Sequence, residues 1–104
     1  MILTTQDTFE DRDIAATLGL VRGNTIRARH VGKDILAALR NIVGGEVLEY
    51  TKMMAESREQ SIDRMVAEAK ELGADGIVGI RFTSATVMGG AAEILCYGTA
   101  VKLT

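Results

Sequence analysis

Proline and tryptophan are absent from this chain, and cysteine occurs once. Without proline, breaks between elements fall to the 11 glycines. A lone thiol, Cys96, excludes an internal disulfide and fits a reducing compartment, so a cytoplasmic location is expected. Aromatic residues make up only 4% of positions against an apolar fraction of 47%. The core is therefore built from Ile, Leu, Val, Met and Ala. Each of these buries less area than an aromatic ring, at about 25 cal/mol per Å². Twelve basic and fourteen acidic residues are mixed along the chain, with a net charge of −2. That mixture lacks the basic block that binds nucleic acid. No apolar run approaches the ~20 residues that cross a bilayer. Met1-Ile2-Leu3-Thr4-Thr5 lacks a basic start and a long apolar stretch, so no secretory leader is expected. At 104 residues the chain is expected to form a single domain over 1–104.

The clearest pattern runs from Glu49 to Phe82. Ala55, Ile62, Met65, Val66, Ala69 and Leu72 recur every three or four residues and predict one apolar stripe on a helix. The helix is expected to start near Glu46–Glu49, with carboxylates in its first turn, and to end at Gly73, where glycine takes a left-handed conformation. Over Glu49–Leu72 it would be about 36 Å long, while a globule of this size has a radius of gyration near 13 Å. An overhang of that kind calls for a partner. After Gly76 the period becomes two. Val78, Ile80 and Phe82 are expected on one face, and Ile77, Gly79 and Arg81 on the other.

Elsewhere, Ile14–Arg22 and Thr25–His30 read as a hairpin turning at Gly23-Asn24. Lys33–Val43 reads as a short helix ended by Gly44-Gly45. Ile77–Val87 and Ala92–Leu103 read as a second hairpin turning at Gly89-Gly90. In the last strand Ile94, Cys96, Gly98 and Ala100 share one face, and Leu95, Tyr97, Thr99, Val101 and Leu103 the other. Neither face is cleanly polar, so both are expected to be covered. The order is strand-strand-helix-helix-strand-strand. It predicts a two-layer α+β fold, an antiparallel sheet packed by one long and one short helix.

The residues that could carry chemistry are few. Soft metals require several converging Cys, His or Met ligands. One chain offers Cys96, His30, Met53, Met54, Met65 and Met88, too few at the right spacing for a closed site, so no metal ligand set is assigned. Ser57, Ser61 and Ser84 have no neighbouring histidine base, so no catalytic residue is assigned and an enzyme is not expected. Gly44 and Gly45 precede the long helix and either cap it or offer amides to an anion. Arg58 falls on the apolar side of the helix, where a charge requires a partner. Two readings stand for it. One is a salt bridge, to Asp34, Asp75 or a neighbouring chain. The other is an anion site shared with Arg40 and Tyr50.

Arg40-Asn41-Ile42-Val43-Gly44-Gly45, Tyr50, Ala69 with Leu72-Gly73-Ala74-Asp75, Val78-Gly79-Ile80-Arg81-Phe82 and Gly98-Thr99-Ala100-Val101, in that order and spacing, resemble the YbjQ-like family. The resemblance covers nearly the whole chain. It implies a dodecin-subunit-like fold assembled into a ring, usually a pentamer, and carries a heavy-metal-binding label. Cys96 and His30 lie outside the matched motifs. The function expected is a non-enzymatic homo-oligomeric module holding a small ligand or heavy metal between subunits, with no cofactor assigned. An enzyme with an intersubunit site and a purely structural scaffold are the alternatives.

Overall fold

The computed structural model describes residues 1–28, 42–43, 46–88 and 91–104. In chain order these form β1 (Ile2–Leu3), β2 (Ile14–Ala28), β3 (Ile42–Val43), β4 (Glu46–Val47), α1 (Leu48–Glu71), β5 (Gly76–Met88) and β6 (Ala91–Leu103). Four strands make one sheet in the order β1-β5-β6-β2, and β3 and β4 pair separately. The fold is α+β, with α1 laid on the sheet. The sheet is mixed rather than wholly antiparallel, because β1 runs parallel to β5. The remaining pairs, β2 with β6 and β5 with β6, are antiparallel.

The helix ends as the glycine pattern predicts. Gly73 has φ +76°. Its N–H donates to the Lys70 carbonyl at 3.0 Å, and the Ala74 N–H donates to the Ala69 carbonyl at 3.1 Å. Those two bonds form a Schellman cap, which satisfies carbonyls that the helix leaves open. Five residues spaced by four, Met53, Ser57, Ser61, Met65 and Ala69, are the fully buried row of α1. Ile62 and Val66 flank it, half-buried, while Leu72 lies outside it and is exposed.

Three further expectations change. First, Gly23-Asn24 is not a turn, and one strand runs unbroken from Ile14 to Ala28. A Cβ at Gly23 would collide with the Ser61 carbonyl oxygen and sit 2.5 Å from the Met65 amide nitrogen. Gly23 is there because helix backbone touches strand backbone, the second common reason for glycine within a strand. Second, Ile42–Val43, expected as the end of a short helix, is strand β3. The rest of that segment, with Gly44-Gly45 and the turn at Gly89-Gly90, lies outside the described residues.

Third, the two-residue period does not hold through β5. Its register with β6 shifts between Val78 and Arg81, and Gly79 sits at φ +63°. Such a bulge inserts one residue and reverses the alternation. Ile77 and Ile80 therefore share the helix-facing cluster with Val21, Met65, Ala69, Cys96 and Ala100. Val78 turns the other way, to Val101 and Leu103, where Phe9 and Ile14 cover it. Gly98 lies opposite the bulge, and a Cβ there would come within 2.7 Å of Ile77 Cγ2. Burying a side chain such as Val21, Met65 or Ile77 contributes about 1.5–3 kcal/mol each. Further along the face away from α1, Leu20 and Ile26 remain 62% and 59% exposed.

Candidate functional site

Where α1 sits decides what is left open. It runs antiparallel to β2: Arg27 meets Glu56 and Gln60, while Gly23 meets Ser61 and Met65. It packs mainly on β2 and β6 and barely touches β5. The small side chains beneath it allow this. Thr25 Oγ1 donates to the Ser57 carbonyl at 3.1 Å and lies 3.1 Å from Ser61 Oγ. Ser61 Oγ is also within 2.9 Å of the Ser57 carbonyl and 3.2 Å of the Ile94 carbonyl. These hydroxyls are engaged with backbone carbonyls, so they serve packing and lack the adjacent base that would activate a nucleophile. Ser57 Oγ is buried with no hydrogen-bond partner among the described residues.

Because α1 is drawn over β2, the helix-side face of β5 forms an open strip. Phe82 pairs with Cys96 and Ser84 with Ile94, so both face the helix layer. Phe82 is nevertheless 45% exposed. Two concavities line the strip. One, of about 220 Å³, is bounded by Met54, Arg58, Phe82, Thr83, Ser84 and Ile94. The other, of about 200 Å³, is bounded by Leu3, Thr4, Thr5, Ile62, Met65 and Ile80.

Arg58 is exposed at the wall of the first concavity, and its guanidinium has neither ion pair nor hydrogen bond among the described residues. Three other arginines along the same sheet and helix are occupied. Arg27 holds Glu56 at 2.9 Å. Arg64 donates to the Asn24 carbonyl at 2.6 Å, and Arg81 to the Thr5 carbonyl at 2.7 Å. Asp75, one expected partner of Arg58, is committed elsewhere. It accepts the Leu103 N–H at 2.9 Å and lies 3.6 Å from Lys102 Nζ. The Leu103 bond, aided by Lys102 and Arg12 and opposed by desolvation, holds its pKa below the ordinary carboxylate value. Tyr50 lies in the first turn of α1. Arg40, Gly44, Gly45, Asp34 and His30 lie outside the described residues.

Cys96 is fully buried, and its Sγ lies 3.6 Å from Met65 Sδ. Burial pushes the thiol pKa up, which disfavours the thiolate that a metal binds. Among the described residues, no three of His, Cys, Asp and Glu converge. The donor set there does not fit a closed metal site. No helix among them is long and apolar enough to cross a membrane.

Sequence reasoning singled out Arg58 as a charge on the apolar side of the helix and weighed Ser84 only as a nucleophile, and it did not mark Phe82 as exposed beside them. Their exposure depends on the offset of α1, which local pattern does not encode. Gly23 was the one available signal, since a glycine inside a strand marks a close approach.

Known proteins resemble this chain throughout its length. The YbjQ family, described as "Putative heavy-metal-binding", matches residues 1–104. A UPF0145 protein of Methanococcus vannielii is 61% identical over 99% of this chain and 98% of its own. One from Archaeoglobus fulgidus is 57% identical, covering 99% and 95%. Among solved structures, a protein of unknown function of the DUF74 family from Pediococcus pentosaceus aligns with a TM-score of 0.71. It has 18% identity and covers 100% of this chain and 98% of its own, which supports the fold. With a match across all its residues and relatives this similar, the chain belongs to the YbjQ family.

Proposed function

We propose that this protein is a non-enzymatic module that assembles into a closed homo-oligomeric ring, a pentamer as the family resemblance implies. It binds a small organic anion with an apolar body in the strip between α1 and β5. The observation that carries this reading is Arg58, a guanidinium without a partner among the described residues, beside Phe82, Met54 and Ile94 in a concavity of about 220 Å³. An apolar pocket with one oriented charge is the usual form of a small-ligand site. Association is supported by shape. The radius of gyration is 17.1 Å and the long dimension 53 Å. A compact domain of this length would have a radius near 13 Å.

Metal binding is the weaker form of the same reading, because the only cysteine is buried and no donor cluster forms among the described residues. Native mass spectrometry of protein purified without chelator reports subunit number and any bound mass together. The expected result is a ring. Titration with the aromatic anion 8-anilinonaphthalene-1-sulfonate then tests the strip. Saturable binding that weakens about tenfold or more in Arg58→Ala supports it, since a hydrogen-bonded charge contributes ~1.5–3 kcal/mol. Binding indifferent to both Arg58→Ala and Phe82→Ala overturns it. Zinc or copper(I) should bind weakly to the isolated subunit. Tight binding abolished by Cys96→Ser or His30→Ala would favour the metal instead.

A further inference from the structure

We infer that the strip over β5 is half of a composite site, and that the other half is the Arg27–Glu56–Gln60 flank of the next copy of this chain. The inference rests on the oligomeric reading above and specifies how the copies meet.

The sheet has two free edges of unequal history. β2 is its terminal strand and carries a 15-residue outer edge with no strand partner among the described residues. On the opposite side, the N-terminal segment covers β5 only in part. Gly79 N–H donates to the Gln6 carbonyl at 2.8 Å and Ile80 N–H to the Thr4 carbonyl at 3.2 Å. From Arg81 onward, no strand lies on that edge among the described residues. Two bare edges of different sequence on opposite sides of one sheet suit head-to-tail pairing, and such heterologous contacts close into rings.

Pairing β2 of one copy with the open edge of β5 on the next continues the sheet as β2-β6-β5, then β2-β6-β5 again. Each helix lies over its own β2 and β6. Successive helices would then stand about three strand spacings apart, ~14 Å. Helices in direct contact are 8–10 Å apart, so a slot about 5 Å wider than contact remains between them. Its floor is β5, with Phe82 and Ser84. One wall is the apolar flank of α1, with Met54, Arg58 and Ile62. The other wall is the opposite flank of the next helix.

That opposite flank is polar and carries the complementary charge. Glu56 accepts from Arg27 through Oε2, its side chain is 51% exposed, and Oε1 has no partner among the described residues. Rotation about an axis along the strands keeps each residue at its own height. Glu56 of the next copy then stands within about 3 Å of the level of Arg58, two residues along a helix. One carboxylate oxygen would take part of Arg58's five N–H donors across the interface while its partner oxygen holds Arg27, leaving the remaining Arg58 donors for the anion in the slot. The same contact covers both sheet edges and the strip, which are open among the described residues, and gives Arg58 a partner.

Charge exchange tests this in the full chain. In sedimentation velocity over a dilution series, Arg58→Glu and Glu56→Arg should each weaken assembly at least about tenfold, as like charges face each other. The double variant Arg58→Glu/Glu56→Arg should regain part of the loss and assemble better than either single, because every interface then pairs the exchanged charges, while the pair with Arg27 within each chain stays broken. Lys70→Glu should have no effect. Restored assembly also shows that the variants fold. Singles that assemble like wild type, or a double that is no better than either single, overturn this interface while leaving a ring standing. A monomeric wild type removes the oligomeric reading itself. Hydrogen exchange adds an independent check. Outward amides of residues 81–86 should be protected in the ring and released on dilution, and equal exchange in both states rejects β2–β5 pairing.

Discussion

Under α1, the inner face of β2 and β6 carries Gly23, Thr25, Cys96 and Ala100 among the larger Val21 and Ile94, pressed against helix positions Ser57, Ser61, Met65 and Ala69. One strand over, the same face of β5 carries Phe82 and Ser84 in the open. The small and polar residues are buried, and the large apolar Phe82 is half-exposed. Close approach explains the first region. Where two backbones nearly touch there is no volume for a large side chain, and hydroxyls can reach carbonyls directly. Incomplete cover explains the second. Residue hydrophobicity alone therefore misplaces Thr25, Ser57 and Ser61 against Phe82, while the distance between layers places them.

The strongest way to break this contrast is Gly23→Val. The atoms it would strike belong to the helix backbone and cannot rotate aside, so a loss of about 3 kcal/mol is expected. That corresponds to a fall in melting temperature of more than about 10 °C. A thermal melt within two degrees of wild type would mean that helix and strand are not in backbone contact. Next comes Gly73→Val. Nothing lies within 4 Å of a Cβ there, so the cost is purely conformational. A β-branched residue at φ +76° should lose about 1–3 kcal/mol. Gly73→Asn should recover part of it in the same assay, since asparagine tolerates the left-handed region.

The uncovered region should respond differently. A fully buried Phe→Ala costs about 3–5 kcal/mol. Phe82→Ala should cost less than about 1 kcal/mol in urea unfolding of the dissociated chain. A loss of the buried size in dilute protein would show that the strip is closed within the subunit. The mildest effect concerns Asp75. Its folded pKa lies below the ordinary value, so its contribution is complete above the unfolded pKa. That contribution is lost as pH falls through the folded one. Stability of Asp75→Asn should therefore be lower than wild type near neutrality and converge with it in acid. A constant gap down to pH 2 would exclude the Leu103 bond as the cause.

Much of the architecture was legible because it is local. The start and stop of α1, its glycine cap and the paired strands β5 and β6 follow from periodicity and backbone propensity in neighbouring residues. What was not legible was set by layers meeting. Gly23-Asn24 has the composition of a tight turn, and only the presence of Ser61 and Met65 above it makes it mid-strand. Gly79 looks like an ordinary strand position, yet its bulge moves Ile80 beside Ile77 and sends Val78 to the opposite face. Ser57 and Ser61 were read for reactivity rather than packing, because a polar side chain in a buried row leaves no apolar signal. For the site, only Arg58 could be named from the sequence, as a charge on an apolar flank. Phe82 required knowing that the helix is displaced toward β2.

The enclosed thiol has a practical consequence. Cys96 is fully buried, and its surroundings suppress the thiolate form. Alkylating dyes react with thiolates, so folded protein should be nearly silent toward maleimides without any cysteine being removed. A single added thiol would then carry all the label. Phe82→Cys would place a fluorophore in the strip, and Leu20→Cys would place one on the opposite face as a reference. The native chain thus serves as its own blank for watching, in real time, how the two faces change environment as concentration rises.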